Sequence, residues 1–406
     1  MSTQEKFYST ELLHDLMPCR IRKILLVSTL YDAFIIEKDG QIVEQICDEF
    51  LDLNMIYTPK ITRVSKRSEA LAALDMKNFH LVITMMNLPD SDTFELAEAL
   101  KSKNSSLPVV LLLSDPSYLN RISPPKRDSI LDGVFFWSGD PSLFFPMIKC
   151  IEDKLNLEND ISTELVKIIL VIDDSIKYYS TFLPIVYKEV MSQTQRLIKE
   201  ELNEVQKLMR MSARPKILLA SNFEDAKYIF DKYKKDIIGI ISDVSYPKED
   251  KICDTAGFDF AQYVRESFFD MPMILMSADN QNQAKAKELN ITYVNKNSQS
   301  FHIDLKNFII QNLGFGDFIF RLPDGKEVAR ASNVKEFLHC LAKIPDESLR
   351  FHSSRNHISI WLRARGRYEI ALKIRPVKIS DFNNDINLIR KYLIETIENY
   401  RIEERA

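Results

Sequence analysis

Short apolar runs separated by helical stretches recur along most of this chain, and that alternation restricts its fold more than any other feature. In the first half the runs are the segment from Ile21, His80–Met86, Leu107–Ser114 and Gly133–Trp137, with a weaker strand near Ile61–Val64. Helices are expected over Gly40–Leu51, Ser68–Leu74, Thr93–Lys101 and Pro141–Leu155. The pattern then repeats with strands at Val166–Asp174, Pro215–Ser221, Ile237–Val244, Met271–Ala278 and Ile291–Lys296. Helices belong from Ile176 to about Ser212, after an Asn222 cap, and over Gly257–Glu266 and Ile303–Leu313. Uniformly apolar strands alternating with helices predict parallel sheets covered on both faces. The expected fold class is therefore α/β: two flavodoxin-like, doubly wound, five-stranded sheets from an internal duplication, followed by a mainly helical module. The expected boundaries are a lead-in at 1–20, units at 21–155 and 165–313 with a polar linker at 156–164, and the module at 314–406.

Composition narrows the setting. A chain of 406 residues, 45% hydrophobic and 28% charged, has material for two or three packed cores. Its net charge of −4 gives no electrostatic reason to expect nucleic acid or an anionic membrane as partner. No apolar run approaches the roughly 18–20 residues of a membrane helix, and the N-terminus has no apolar signal core. Cys19, Cys47, Cys150, Cys253 and Cys340 are scattered, with no CxxC pair, and read as buried or incidental thiols. That usage suits a reducing cytoplasm, the expected location.

The chemistry gathers in the second unit. Ile237–Pro247 is an apolar run that ends in one carboxylate, Asp243, and closes on a proline. Asp173 and Asp174 end the unit's first strand, Ser277 its fourth and Lys296 its fifth. In a sheet ordered 2-1-3-4-5 these strand ends flank the switch point, where open α/β sheets bind ligands. Three carboxylates brought that close repel one another unless a cation neutralises them, and Mg²⁺ suits an all-oxygen set. Asp243 would then be a carboxylate nucleophile toward phosphorus, with Lys296 and Ser277 facing the phosphoryl oxygens. Taken singly, each residue reads as a cap, a turn former or a solvated strand end; the joint register carries the argument.

Over about Leu165–Leu313 this constellation resembles the receiver domain of two-component response regulators. The resemblance implies that Asp173 and Asp174 bind magnesium and that Asp243 accepts a phosphoryl group from the phosphohistidine of a sensor histidine kinase or a phosphotransfer protein. It further implies that Ser277 and Lys296 hold the phosphate, that Tyr293 is the switch aromatic and that Ser245 offers its main-chain carbonyl to the metal. Pro247 also fits. Such a chain is a phosphoacceptor in a phosphorelay and not an enzyme. Asn297 departs from the pattern, standing where receivers usually carry proline after the lysine; the bond before it is expected to be trans or strained. The loop after Pro247 is longer than usual and reads as a flexible insertion, with a lid as the alternative. The extended first helix carries Leu197, Leu202, Val205 and Met209 at helical spacing. That face must meet the first unit, the C-terminal helices or a second copy of the chain.

The first unit has the strand pattern without the chemistry. Ser28 and Thr29 replace the acidic pair, Met85 the acceptor, Leu113 the hydroxyl residue and Trp137 the lysine, while Asn87 and Pro89 follow the third strand as in receivers. Asp32 alone does not rebuild the site. This unit reads as a receiver-like docking surface. After Gly314 a hairpin turning at Asp324-Gly325 is expected, then helices at Asn333–Lys343, Asp346–Ser353, His357–Lys373 and Asp385–Arg401. His352, His357 and Trp361 read as the packing of a small helical core, with a site at the one-turn spacing of His357 and Trp361 as the alternative, and Arg363, Arg365 and Arg367 as a solvated face, with contact to phosphate or RNA as the alternative. The order of units also resembles the regulatory N-terminal half of phosphoenolpyruvate-synthase-like bacterial proteins. That implies a catalytic domain or partner and, as an alternative, control by ligand binding at the same cleft. A dimerisation scaffold built on the long helix is a third alternative.

Overall fold

The computed structural model describes residues 16–29, 58–121, 130–162, 166–198, 214–365, 367–375 and 377–403. The expected helix over Gly40–Leu51, Asp32, and the outer positions Leu202, Val205 and Met209 lie outside the described residues.

Two parallel five-stranded sheets form, as their apolar runs dictate. The first orders β2 (Lys60–Val64), β1 (Lys23–Val27), β3 (Leu81–Met85), β4 (Val109–Leu113) and β5 (Gly133–Phe136). Its helices are α1 (Arg67–Met76), α2 (Thr93–Lys103) and α3 (Phe144–Ser162). The second orders β7 (Lys216–Ala220), β6 (Ile168–Ile172), β8 (Ile237–Asp243), β11 (Met273–Ser277) and β12 (Thr292–Asn295), the same 2-1-3-4-5 topology. Around it lie α4 (Ile176–Ile198), α5 (Phe223–Tyr233), α6 (Ala256–Ser267), α7 (Asn282–Glu288) and α8 (Phe301–Asn312). The strands β3, β4 and β6 are buried at every position, as strands covered on both faces must be. Asn222 caps α5 by accepting from Asp225 N at 2.7 Å. The α/β class and the doubly wound order are thus those expected. Among the described residues no helix is long and apolar enough to cross a membrane.

The polar stretch 156–164 is no linker through Ser162. It is the end of α3, whose buried row Lys149, Glu152, Asp153, Asn156 and Asp160 stitches two elements together. On one side Met17 N, Cys19 N and Ile21 N donate to Asp160, Asn156 and Glu152 at 2.8–2.9 Å. On the other, Arg214 donates to both Asp153 oxygens at 2.6 and 2.9 Å, and Lys216 Nζ lies 2.7 Å from Asp160. Hydrophilic composition suggested solvent; these side chains are instead spent on one another.

The described part of the long helix meets the first unit. On α4, Tyr179 OH donates to Val134 O, Ser180 Oγ accepts from Phe136 N at 2.9 Å, and the Phe135 and Tyr179 rings meet edge to face at 6.0 Å. These contacts bring α4 against the edge strand β5.

The segment after Asp243 is also ordered. Strands β9 (Tyr246–Lys248) and β10 (Lys251–Cys253) pair antiparallel, so the expected flexible insertion is a hairpin. Lys248 Nζ reaches Asp259 at 2.7 Å and Glu249 N donates to Glu224 at 3.1 Å, fixing it to α6 and α5.

The last module begins with the hairpin β13 (Phe318–Arg321) and β14 (Glu327–Ala331), with Gly325 at φ +91° in its turn. It continues through α9 (Val334–Leu341), α10 (Asp346–Ser354), α11 (His357–Ala364), α12 (Tyr368–Ile374) and α13 (Ile386–Glu403). The single helix expected over His357–Lys373 is two, broken next to Gly366 in the sequence. Trp361 stacks on Phe337 at 5.0 Å and meets Phe318 at 5.7 Å, a small aromatic core. The arginine run is no solvated face. Arg363 donates to Lys235 O at 2.8 Å, and Arg365 to Gly314 O and Gly316 O at 2.7 and 2.8 Å, clamping the module to the second unit.

Candidate functional site

At the carboxyl ends of β6, β8, β11 and β12 the second sheet brings its polar side chains to one place. Asp173 and Asp174 follow β6, Asp243 ends β8, and one oxygen from each lies within 4.8 Å of the others. Parallel pairing sets this convergence: Asp243 is in register with Met276, the residue before Ser277. Lys296 N donates to Ser277 O at 2.8 Å and so starts beside it. The Lys296 ammonium, only 3% exposed, stands 2.8 Å from Asp173 Oδ2 and 2.6 Å from Asp243 Oδ2.

Close packing shapes the acceptor's surroundings. Asp243 Oδ1 accepts from Val244 N at 2.7 Å, which leaves Oδ2 toward Lys296. Gly257 at the start of α6 donates from its N to Val244 O, and a Cβ there would stand 2.3 Å from Asp243 O. Only glycine permits that approach.

The electrostatics are those of a crowded, dry pocket. Burial pushes the Asp173 carboxyl up to about 7, the Asp243 charge adds to this, and Lys296 partly offsets it. For Lys296 burial opposes the charge, but the two carboxylates outweigh burial and hold the ammonium above the ordinary lysine value. One cation among three acids leaves negative charge uncompensated. An all-oxygen set of three carboxylates fits a hard divalent cation such as Mg²⁺, whose charge would offset the burial that favours the proton on Asp173.

Ser277 and Tyr293 are tied to the same loop. Ser277 Oγ accepts from Asp279 N at 3.1 Å and Asn282 Nδ2 at 3.0 Å, so its own proton remains to be donated. Tyr293 OH donates to Asp279 O at 2.6 Å and lies 3.4 Å from Ser277 O. The Ser245 hydroxyl donates to Asp254 at 3.0 Å. No cis peptide occurs among the described residues, so the bond before Asn297 is trans. Two neighbours were not foreseen. The Tyr178 ring lies under the Lys296 ammonium at 4.4 Å, and Asn282 holds Ser277. Tyr178 stands two residues into α4, where an aromatic reads as core.

The corresponding strand ends of the first unit hold Ser28, Met85, Leu113 and Trp137, all buried. Trp137 packs on Phe144 at 5.3 Å, and the Thr93 hydroxyl closes on Met85 O at 2.7 Å. Among the described residues, the acidic cluster of the second unit is the sole group placed to hold a metal.

No family model and no curated protein matches the chain. Solved structures do resemble it. The chemotaxis response regulator CheY4 of Vibrio cholerae is 17% identical, covering 32% of this chain and 96% of its own, with a TM-score of 0.25. The phosphorylated cyanobacterial phytochrome response regulator RcpA is 21% identical, covering 34% of this chain and 96% of its own, at 0.25. A probable two-component response regulator/GGDEF domain protein is 14% identical, covering 72% and 98%, at 0.30. None of these findings supports the resemblance to phosphoenolpyruvate-synthase-like proteins. The functional reading rests on the geometry of the pocket.

Proposed function

We propose that the second unit is a phosphorylation-controlled switch of the response-regulator kind, working in the cytoplasm as a phosphoacceptor and not as an enzyme. The observation that carries this reading is the buried Lys296 ammonium bridging Asp243 and Asp173 within a three-carboxylate cluster at the strand ends. Asp243 Oδ2 attacks the phosphorus of a phosphohistidine on a sensor histidine kinase or phosphotransfer protein. The new O–P bond forms as the P–N bond breaks, and the electron pair leaves with the imidazole nitrogen. Lys296 follows the charge from the carboxylate to the phosphoryl oxygens, and the Ser277 proton turns to one of them. Magnesium, when bound, would neutralise negative charge between acceptor and donor. Asp173, Asp174 and Asp243 would hold it, with the Ser245 carbonyl as a further oxygen ligand.

Reorienting Ser277 disturbs the loop to which Tyr293 OH is bonded, so the β11–β12 edge has a route to a second arrangement. The first unit, with no acceptor at its strand ends, serves as a fixed docking body for α4. Incubation with Mg²⁺ and acetyl phosphate should label the protein once, as read by intact mass, and Asp243→Asn should abolish labelling. Equal labelling of the two proteins would remove the acceptor assignment.

A further inference from the structure

Between the second unit and the C-terminal module lies a cleft of about 670 Å³, within the range of small-molecule sites. Arg321, Lys287 and Arg355 line it, and none of the three forms an ion pair with a carboxylate among the described residues. The two acids in its wall are already neutralised from outside. Asp270 receives Arg375 at 3.0 and 3.1 Å and Asn356 at 3.0 Å; Asp317 receives Arg196 at 3.1 Å and Arg330 at 3.6 Å. The cleft's unspent charge is positive.

Its histidines are ordered into a directional chain. Arg321 N donates to His352 Nε2 at 2.8 Å, so that nitrogen is an acceptor and the ring proton sits on Nδ1. His352 Nδ1 lies 3.0 Å from His357 Nδ1, which must then accept, leaving the His357 proton on Nε2. Burial lowers both rings, His352 to about 3 and His357 to about 4, so both are neutral donors rather than cations at neutral pH. His357 lines the cleft together with the half-exposed Phe269 and with Phe351. The remaining His357 N–H, cations with no carboxylate at ion-pair distance and an aromatic wall, its Phe351 ring already under Arg355 at 4.3 Å, make a matched set.

We propose that this cleft binds a small organic anion, a carboxylate or phosphate ester, with its charged head on Arg321, Arg355 and His357 and its apolar body against Phe351 and Phe269. The site is distinct from the acceptor pocket and is formed in the unphosphorylated chain, although Tyr293 of the β11–β12 edge contributes to its wall.

The test is calorimetric titration of the full chain, without magnesium, with phenyl phosphate and with benzoate; the stronger of the two identifies the head group. Saturable binding is expected in the wild type and unchanged in Asp243→Asn. Arg355→Ala and Arg321→Ala should each weaken it about tenfold, the loss of one charge-assisted hydrogen bond. Lys287 and Arg355 are exposed, so Lys287→Ala/Arg355→Ala keeps the test valid should Arg321→Ala unfold. The proposal is overturned if neither anion binds saturably, if Asp243→Asn abolishes binding, or if Lys287→Ala/Arg355→Ala binds as tightly as the wild type.

Discussion

Asp173 is fully buried, held between Ser175 N at 2.9 Å and Lys296 at 2.8 Å, and its carboxyl titrates near 7 instead of in the usual acid range. A raised carboxyl binds its proton more tightly in the folded than in the unfolded chain. That contribution to stability is complete below the unfolded value, near 4, and disappears as pH rises through about 7. Without magnesium the wild type should therefore lose stability between about pH 4 and about pH 7 relative to Asp173→Asn, by at most about 4 kcal/mol. Melting temperatures of both proteins across that range check it; parallel curves would refute the assignment. The residues that meet here were legible because each ends an apolar strand, and strand ends converge once the order is 2-1-3-4-5. Tyr178 and Asn282 were not legible. Their contact depends on where a helix starts, which hydrophobic periodicity fixes poorly.

At the scale of elements, the β9–β10 hairpin turns at Glu249-Asp250, both at positive φ (53° and 61°), where two-residue hairpin loops favour Asn-Gly. The left-handed region costs ordinary residues roughly 1 kcal/mol each. Glu249→Asn/Asp250→Gly should raise stability by about 1 kcal/mol, measured by urea unfolding, leaving Asp243 labelling intact. Lacking the usual turn pair, this segment read as flexible insertion. The same limit hid α7, where Ala286 alone is buried and no apolar stripe exists to be seen. It also misplaced the linker, because a row of buried charges looks in sequence like a solvated one. The long buried strands, by contrast, were unmistakable.

For the whole molecule, the α3 network decides how the two sheets stand together. Asp153 accepts from Arg214, from Tyr187 OH at 3.0 Å and from Ile217 N at 3.0 Å, joining α3, α4 and β7. Burial pushes the neighbouring Cys150 thiol up to about 12, so it stays protonated and inert. Asp153→Ala would strand the Arg214 guanidinium in a dry interior and should cost about 3–5 kcal/mol, with both units loosening together in hydrogen exchange. Protection lost from the first unit alone would contradict that coupling. The C-terminal clamp works differently, because Arg363 and Arg365 grip peptide carbonyls rather than side chains. The Lys235 carbonyl would be offered by any residue type, but Gly314 stands at φ +78° where a Cβ would lie 2.9 Å from Trp361 Cα, and a Cβ at Gly316 would meet Ile310 at 2.5 Å, so two of the three acceptors are tied to glycine. Descendants of this chain would keep the grip as long as they inherit two guanidinium groups and the two glycines that let Arg365 reach its carbonyls, so the burden of inheritance falls on both sides of the joint.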